Sequence, residues 1–341
     1  MISLAVKYRP SSFDQVVEQS ATKVILQQQL SSGDIKNAYL FCGGAGTGKT
    51  TCARIFANEI NNGKGTPIEL DAASNNSVDD VREIIQQSKT ASLNSEYKVF
   101  IMDEVHALSN QAWQAMLKVL EEPPVKSIFI MCTTDPQKIP KTILSRVQRF
   151  DFQRIGQVAI KNRLEDICDS ENRELKEERI KYNAFSLEYI AKQAQGGMRD
   201  AITMLDKCLA YSNDLTIENV TKALGIPSYD LMCELLKAIA NYNTKRKLDI
   251  INEVYMSGYD LKQFVKSFTN FILDYSKWYF GVSEYIECPL TEQIKDAFTV
   301  YENSTEDEFP TLITDLIRLQ AEIKWDTNPL HRIEAWCVTG E

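Results

Sequence analysis

The residues Gly43-Gly44-Ala45-Gly46-Thr47-Gly48-Lys49-Thr50 have the spacing G-x-x-x-x-G-K-[ST]. Such a loop does phosphate chemistry. Its glycines let main-chain N–H groups turn inward around phosphate oxygens, and the N-terminus of the following helix adds positive potential. Lys49 then faces the β- and γ-phosphates of a nucleotide, and Thr50 holds Mg²⁺. Gly43, Gly46, Thr47, Gly48, Lys49, Thr50 and Thr51 are the candidate phosphate-binding residues. A second stretch, residues 98–104, is an apolar run ending in two carboxylates. Asp103 suits Mg²⁺, bound directly or through water. Glu104 suits the orientation and polarisation of an attacking water. Phosphoryl transfer to water needs mainly positioning and charge neutralisation, so these groups suffice for hydrolysis. Each stretch has a bland alternative, a glycine-rich turn for the first and a solvated acidic turn for the second.

The surrounding elements decide between these readings. Residues 38–42 form a short apolar run that reads as a buried strand, and residues 51–59 have helical spacing with Ile55 and Phe56 as apolar contacts. Strand, glycine loop and helix in that order are what the phosphate motif requires. Further strands are expected at residues 67–71, 98–103, 127–133 and 148–152, alternating with helical stretches. Residues 1–152 therefore predict an α/β domain, a parallel sheet with helices on both faces and the glycine loop at the strands' C-terminal ends. Residues 153–225 lose the strand signal. Helices are expected at 155–168 and 187–193, with another after Gly196-Gly197. Residues 226–341 also read as helical, and Tyr255, Phe264, Phe268, Phe271, Tyr275, Trp278 and Tyr279 are expected to form a bundle core. Loops are expected at 281–289 and 302–310.

The chain has 341 residues, enough for two or three domains, with 44% hydrophobic and 25% charged residues. No apolar run is long enough to span a membrane, and the N-terminus carries no secretory signal, so a cytoplasmic location is expected. The net charge of −9 argues against a uniformly basic nucleic-acid binder but leaves room for a local basic track. The 8 cysteines (Cys42, Cys52, Cys132, Cys168, Cys208, Cys233, Cys288 and Cys337) are scattered without C-x-x-C pairs, consistent with a reducing compartment and no metal site built on them.

Several stretches together resemble one family. Lys7-Tyr8-Arg9-Pro10 with Phe13 and Val16-Val17 resembles the opening of clamp-loader AAA+ ATPases. Leu70-Asp71-Ala72-Ala73-Ser74-Asn75 and Asp103-Glu104-Val105-His106-Ala107-Leu108-Ser109 follow in the family's order. So do Met116 to Pro124, Thr133 to Pro140, Ile143-Leu144-Ser145-Arg146 and, in the lid, Gly196-Gly197-Met198-Arg199-Asp200-Ala201. The chain is similar to bacterial DNA polymerase III gamma/tau subunits and to the small subunits of replication factor C. The likeness is dense over residues 1–225. Beyond them it is a helical pattern consistent with an oligomerisation collar.

The resemblance implies an AAA+ domain at 1–152, a helical lid at 153–225 and a helical collar at 226–341. It implies an ATP-driven, Mg²⁺-dependent motor subunit of a pentameric assembly that loads a sliding clamp onto primer–template DNA. Tyr8, Arg9, Pro10 and Val17 would frame adenine and ribose. Thr134 would be sensor 1 and Arg199 sensor 2. Arg146 would be an arginine finger acting on a neighbour's nucleotide. Arg82 and Lys118 would touch DNA phosphates, although Asn75-Asn76-Ser77 stands where the family often has basic residues. Two departures matter. Residues 58–65 replace the four-cysteine zinc module usual in gamma/tau, so no zinc is expected. Val147 replaces the cysteine that usually follows the finger. The chain as given also has no long tau-like tail, which suits a phage or divergent bacterial system. A hexameric AAA+ DNA motor or remodeller, and a non-hydrolysing structural subunit, are the rival readings. Six-fold rings in electron micrographs would favour the first, and the absence of ATP turnover the second.

Overall fold

The computed structural model describes residues 2–92, 94–174, 179–286, 288, 290–301 and 308–339. The chain divides into two compact units, Met1–Thr216 and Ile217–Glu341.

The first unit is built on strands β1 (Ala38–Gly43), β2 (Ile68–Asp71), β3 (Lys98–Asp103), β4 (Ser127–Thr133) and β5 (Gln148–Phe152), in the order β2-β3-β4-β1-β5. Every neighbouring pair is parallel. The expected strands lie within one residue of these bounds. The central β1, β3 and β4 read clearly because each is an apolar run buried on both sides, and the outer β2 and β5 read by alternation. Successive side chains point to opposite faces. On one face Tyr39, Phe41, Val99, Ile101, Ile128 and Ile130 pack with residues of helices α2 (Ser20–Ser32) and α3 (Lys49–Ile60), which follow a short α1 (Leu4–Lys7). On the other, Leu40, Cys42, Phe100, Met102, Phe129 and Met131 pack with α4 (Val78–Ser88) and α5 (Asn110–Glu121). A capping box between Ser77 and Asp80 starts α4, and the Ser109 hydroxyl starts α5 by accepting from the Ala112 N–H. A short α6 (Lys141–Leu144) precedes β5.

Beyond the sheet come α7 (Gln157–Glu174), α8 (Ala184–Gln193) and α9 (Met198–Tyr211). The expectation of a strand-free segment here needs correction. Strands β6 (Lys181–Tyr182) and β7 (Asp214–Leu215) form a short parallel pair. Two residues carry no periodicity, so the sequence has no signal for them. Helix α8 also starts three residues earlier than expected, because Asn183 and Ser186 form a capping box.

The second unit is helical: α10 (Ile217–Leu224), α11 (Tyr229–Ala240), α12 (Thr244–Met256), α13 (Leu261–Tyr279), α14 (Glu292–Tyr301), α15 (Glu308–Ile323) and α16 (Leu330–Thr339). Helix α10, placed with the lid on sequence grounds, falls in this unit. Phe264, Phe268, Phe271 and Tyr275 are buried along α13, with Trp278 packed against them. Tyr255 and Tyr279 are exposed, contrary to expectation. In α12 the buried residues are Ile250, Ile251 and Val254, and Tyr255 points about 100° away from Val254. Of the two expected loops, residues 287, 289 and 302–307 lie outside the described residues. Within the first is a 3-10 turn, Ser283–Tyr285, and residues 308–310 of the second already belong to α15. All eight cysteines are buried, where they pack as small apolar side chains.

Candidate active site

Because the sheet is parallel, the C-terminal ends of β1, β3 and β4 share one edge, and β4 lies between the other two. The glycine loop leaves β1 there. Gly43 is required by a close approach: a Cβ at this position would come within 2.4 Å of the Phe152 carbonyl oxygen. Gly48 caps α3 with φ 101°, and Lys49 begins the helix. Lys49 is buried, and its Nζ donates to the carbonyls of Gly43 at 2.9 Å and Gly44 at 2.8 Å. Burial lowers its pKa below the ordinary lysine value against the pull of the Glu104 and Asp103 carboxylates. The Thr47 hydroxyl donates to the Gly44 carbonyl at 2.9 Å.

The two carboxylates follow β3. Thr50 Oγ1 donates to Asp103 Oδ2 at 2.7 Å, joining the glycine loop to the acidic pair. Glu104 has φ 47°, in the left-handed region, and its N–H donates to Asp103 Oδ1 at 3.0 Å. That backbone turn sends the Glu104 side chain toward β4. There Oε2 accepts from the Thr134 N–H at 3.1 Å and the Thr134 hydroxyl at 2.8 Å.

A cavity of about 330 Å³ opens beside the loop, in the size range of small-molecule sites. It brings together Tyr8, Arg9, Pro10 and Val17 from the N-terminal arm, residues 46–51 of the loop and helix, Asp103, and Arg199 from α9. Sequence reasoning missed other parts of its wall, including Gln15, Val16, Arg54, Ile155, Arg163, Met198 and Ile202. Of these, Val16 and Met198 lie within stretches that resemble the family, and the others belong to no motif.

The arm is seated on α7 and α9. The Tyr8 hydroxyl donates to Glu171 Oε1 at 2.6 Å, and its pKa is pushed up to about 12 by burial and that bond. Lys7 Nζ reaches Glu171 at 2.8 Å and Glu174 at 2.6 Å, and the Leu4 N–H donates to Asp206 Oδ2 at 3.2 Å. Arg163 donates to the Tyr8 carbonyl at 3.3 Å. The buried Gln19 side chain donates to the Thr47 carbonyl at 3.4 Å and the Gln153 carbonyl at 2.7 Å, bridging the glycine loop to the segment that leads into α7.

Three expected functional residues lie elsewhere. Arg146 follows α6 and does not line the cavity. Its guanidinium pairs with Glu121 Oε1 at 2.6 Å and donates to the Thr142 carbonyl at 2.7 Å. Arg82 pairs with Asp79 at 2.9 Å, and Lys118 is exposed on α5. Exposed ion pairs contribute only about 0–1 kcal/mol, so neither arginine is firmly committed to its partner.

Comparison with known proteins accords with this arrangement. Thermotoga maritima RuvB, a Holliday junction branch migration motor, superposes with a TM-score of 0.52 at 20% identity, over 68% of this chain and 79% of that one. At that identity the likeness is one of fold. A family model described as DNA polymerase III, delta subunit, matches residues 66–156, and one for the clamp-loader subunit ATPase lid domain matches residues 159–214. The DNA polymerase III subunit gamma of Buchnera aphidicola subsp. Schizaphis graminum is 32% identical, over 79% of this chain and 78% of its own. The subunit tau of Bacillus subtilis (strain 168) is 36% identical over 94% of this chain, and that of Escherichia coli (strain K12) is 36% identical over 75%. The chain belongs to the DNA polymerase III gamma/tau family. It spans 60% of the length of the Bacillus relative and 42% of the Escherichia one.

Proposed function

We propose that this chain is an ATP-driven motor subunit of a clamp loader, which opens a ring-shaped sliding clamp and places it on primer–template DNA in the cytoplasm. The observation that carries the reading is the meeting of Lys49, Thr50, Asp103 and Glu104 at one sheet edge, beside a cavity of nucleotide size in a gamma/tau family member. ATP would lie with its base and ribose against Tyr8, Arg9, Pro10 and Val17 and its phosphates over residues 46–51. Lys49 would exchange its two carbonyl partners for phosphate oxygens. Thr50 and Asp103 offer hard oxygen donors 2.7 Å apart beside the phosphate loop, a set that fits Mg²⁺. When bound there, Mg²⁺ supplies charge neutralisation at the β- and γ-phosphates.

Glu104 would accept the proton side of the attacking water, and Thr134, already bonded to Glu104, would report on the γ-phosphate end of the site. Arg199 would reach the γ-phosphate from the lid. Arg146 would act on a neighbouring subunit's nucleotide, a reading supported by its place after α6, where its guanidinium meets Glu121 and the Thr142 carbonyl. The AAA+ core would run to residue 152 and the lid from 153, with a collar from about 226 holding a pentamer together. Arg82 and Lys118 would contact DNA phosphates. The test is the ATPase rate of the assembled protein with and without primed DNA and the cognate clamp. Stimulation by both together is expected, and a rate indifferent to both would overturn the reading.

A further inference from the structure

The Glu104 carboxylate is tied at one atom. Besides the two Thr134 bonds, Oε2 lies 3.2 Å from Nδ1 of His106. Among the described residues, no hydrogen bond of this side chain falls on Oε1. The contact of His106 Nδ1 with Oε2 is an ion-pair approach rather than a hydrogen bond. The same nitrogen lies 3.3 Å from Thr133 Oγ1, an oxygen that already accepts the Asp135 N–H at 3.0 Å. His106 is therefore wedged between the end of β4 and Glu104. It is carried by the 3-10 turn Val105–Ala107, whose Val105 is fully buried and whose Ala107 N–H donates to the Glu104 carbonyl at 2.9 Å. The ring cannot move far without moving the turn that holds Glu104 in its left-handed conformation.

We propose that His106 is a positioning residue for ATP hydrolysis: held by Thr133, its ring backs Oε2 of Glu104 against the Thr134 donors, leaving Oε1 as the atom that accepts from the attacking water. The inference rests on the reading of Glu104 as the water-polarising carboxylate. A water-polarising group gains its effect from placement, and misplacement by about 1 Å costs on the order of 100-fold in rate. Loss of the ring that backs Oε2 is a milder change of the same kind.

The experiment measures ATP turnover and ATP affinity for the full chain in its native assembly, with His106→Leu, His106→Asn, His106→Gln, Glu104→Gln and the His106→Leu/Glu104→Gln pair. His106→Leu is expected to lower kcat by about tenfold to 100-fold while leaving ATP affinity within about twofold, inside the scatter of a neutral surface change. Asn places its Nδ2 where the ring carries Nδ1, so His106→Asn should recover most of the rate. Gln moves the donor one carbon outward and should not. The Leu change should add little to Glu104→Gln, because both act through one carboxylate. If Glu104→Gln turns over at the parental rate, the assignment of Glu104 falls, and this inference with it. If Glu104→Gln is slow while His106→Leu is not, only the role of His106 is overturned. Equal loss in the Asn and Gln variants, or full multiplicativity in the double variant, also overturns it. Should His106→Leu fail to fold, the contrast between Asn and Gln still decides.

Discussion

The main-chain N–H of Met198 donates to the carbonyl oxygen of Gly46 across 3.0 Å. The phosphate loop and the first turn of α9 are thus joined backbone to backbone, with no side chain as intermediary. A Cβ on Gly46 would stand 3.0 Å from Gly197 Cα, and Gly46 has φ 69°. Gly46→Ala is therefore expected to force the loop and α9 apart, weakening ATP binding by about tenfold and costing ~1–3 kcal/mol of stability. Gly44→Ala is the control, since its Cβ would meet only Thr47 Cγ2 at an ordinary 3.7 Å. Titration and thermal melting of the two variants should differ clearly. Equal behaviour would count against the backbone contact.

Glu104→Gln should keep ATP binding and lower turnover by about 100-fold, the scale of a lost acid–base group. The geometry favours a clean result. An amide oxygen can take the place of Oε2 under the Thr134 donors, with the amide nitrogen at the Oε1 position. Retained affinity with parental turnover would exclude Glu104 as the catalytic carboxylate.

Lys49→Ala should weaken ATP binding by about tenfold or more, the loss of at least one charge-assisted hydrogen bond of ~1.5–3 kcal/mol. Arg146→Ala should leave binding nearly intact and slow hydrolysis by ~10³-fold or more, as for a finger supplied in trans. Mixing the two variants should restore part of the activity, because some interfaces would join an intact Lys49 to an intact Arg146. No recovery despite verified co-assembly would assign Arg146 a role within its own subunit or in the Glu121 ion pair alone.

The seating of the arm should be sensitive to acid. Burial raises the Glu171 carboxyl, but its bonds to Lys7 and Tyr8 outweigh burial and hold its pKa below the ordinary 4.5. A lowered folded-state pKa contributes stability that is present above the ordinary value and lost as pH falls through the folded one. Amide protection at residues 4–8 should therefore persist from neutral pH down to the ordinary carboxylate range and fall below it. Glu171→Gln should show the loosened arm at every pH. Protection unchanged by either treatment would mean that Glu171 does not hold the arm.

Much of this was legible in the chain itself. The central strands β1, β3 and β4 are buried on both faces, so each appears as a nearly uninterrupted apolar run, while the outer strands β2 and β5 alternate apolar and polar residues. The phosphate loop was legible because close approaches, such as that of Gly43 to Phe152, admit only glycine. The rest depends on distant packing. Arg163 and Ile202 reach the cavity because α7 and α9 carry the arm, which no local pattern announces. His106 reads as an ordinary turn residue until β4 brings Thr133 and Thr134 beside it. Tyr255 looked like part of an aromatic stripe because composition does not distinguish neighbouring faces of a helix.

The arm also constrains the order in which the molecule can be completed. Leu4 is bonded to Asp206, and Lys7 to Glu171 and Glu174. During synthesis the arm leaves the ribosome long before the helices that seat it are made. The sheet can assemble while the arm waits, but the wall of the cavity cannot close until Asp206 has emerged. A partly made chain can therefore own a finished glycine loop and still lack one wall of the cavity beside it.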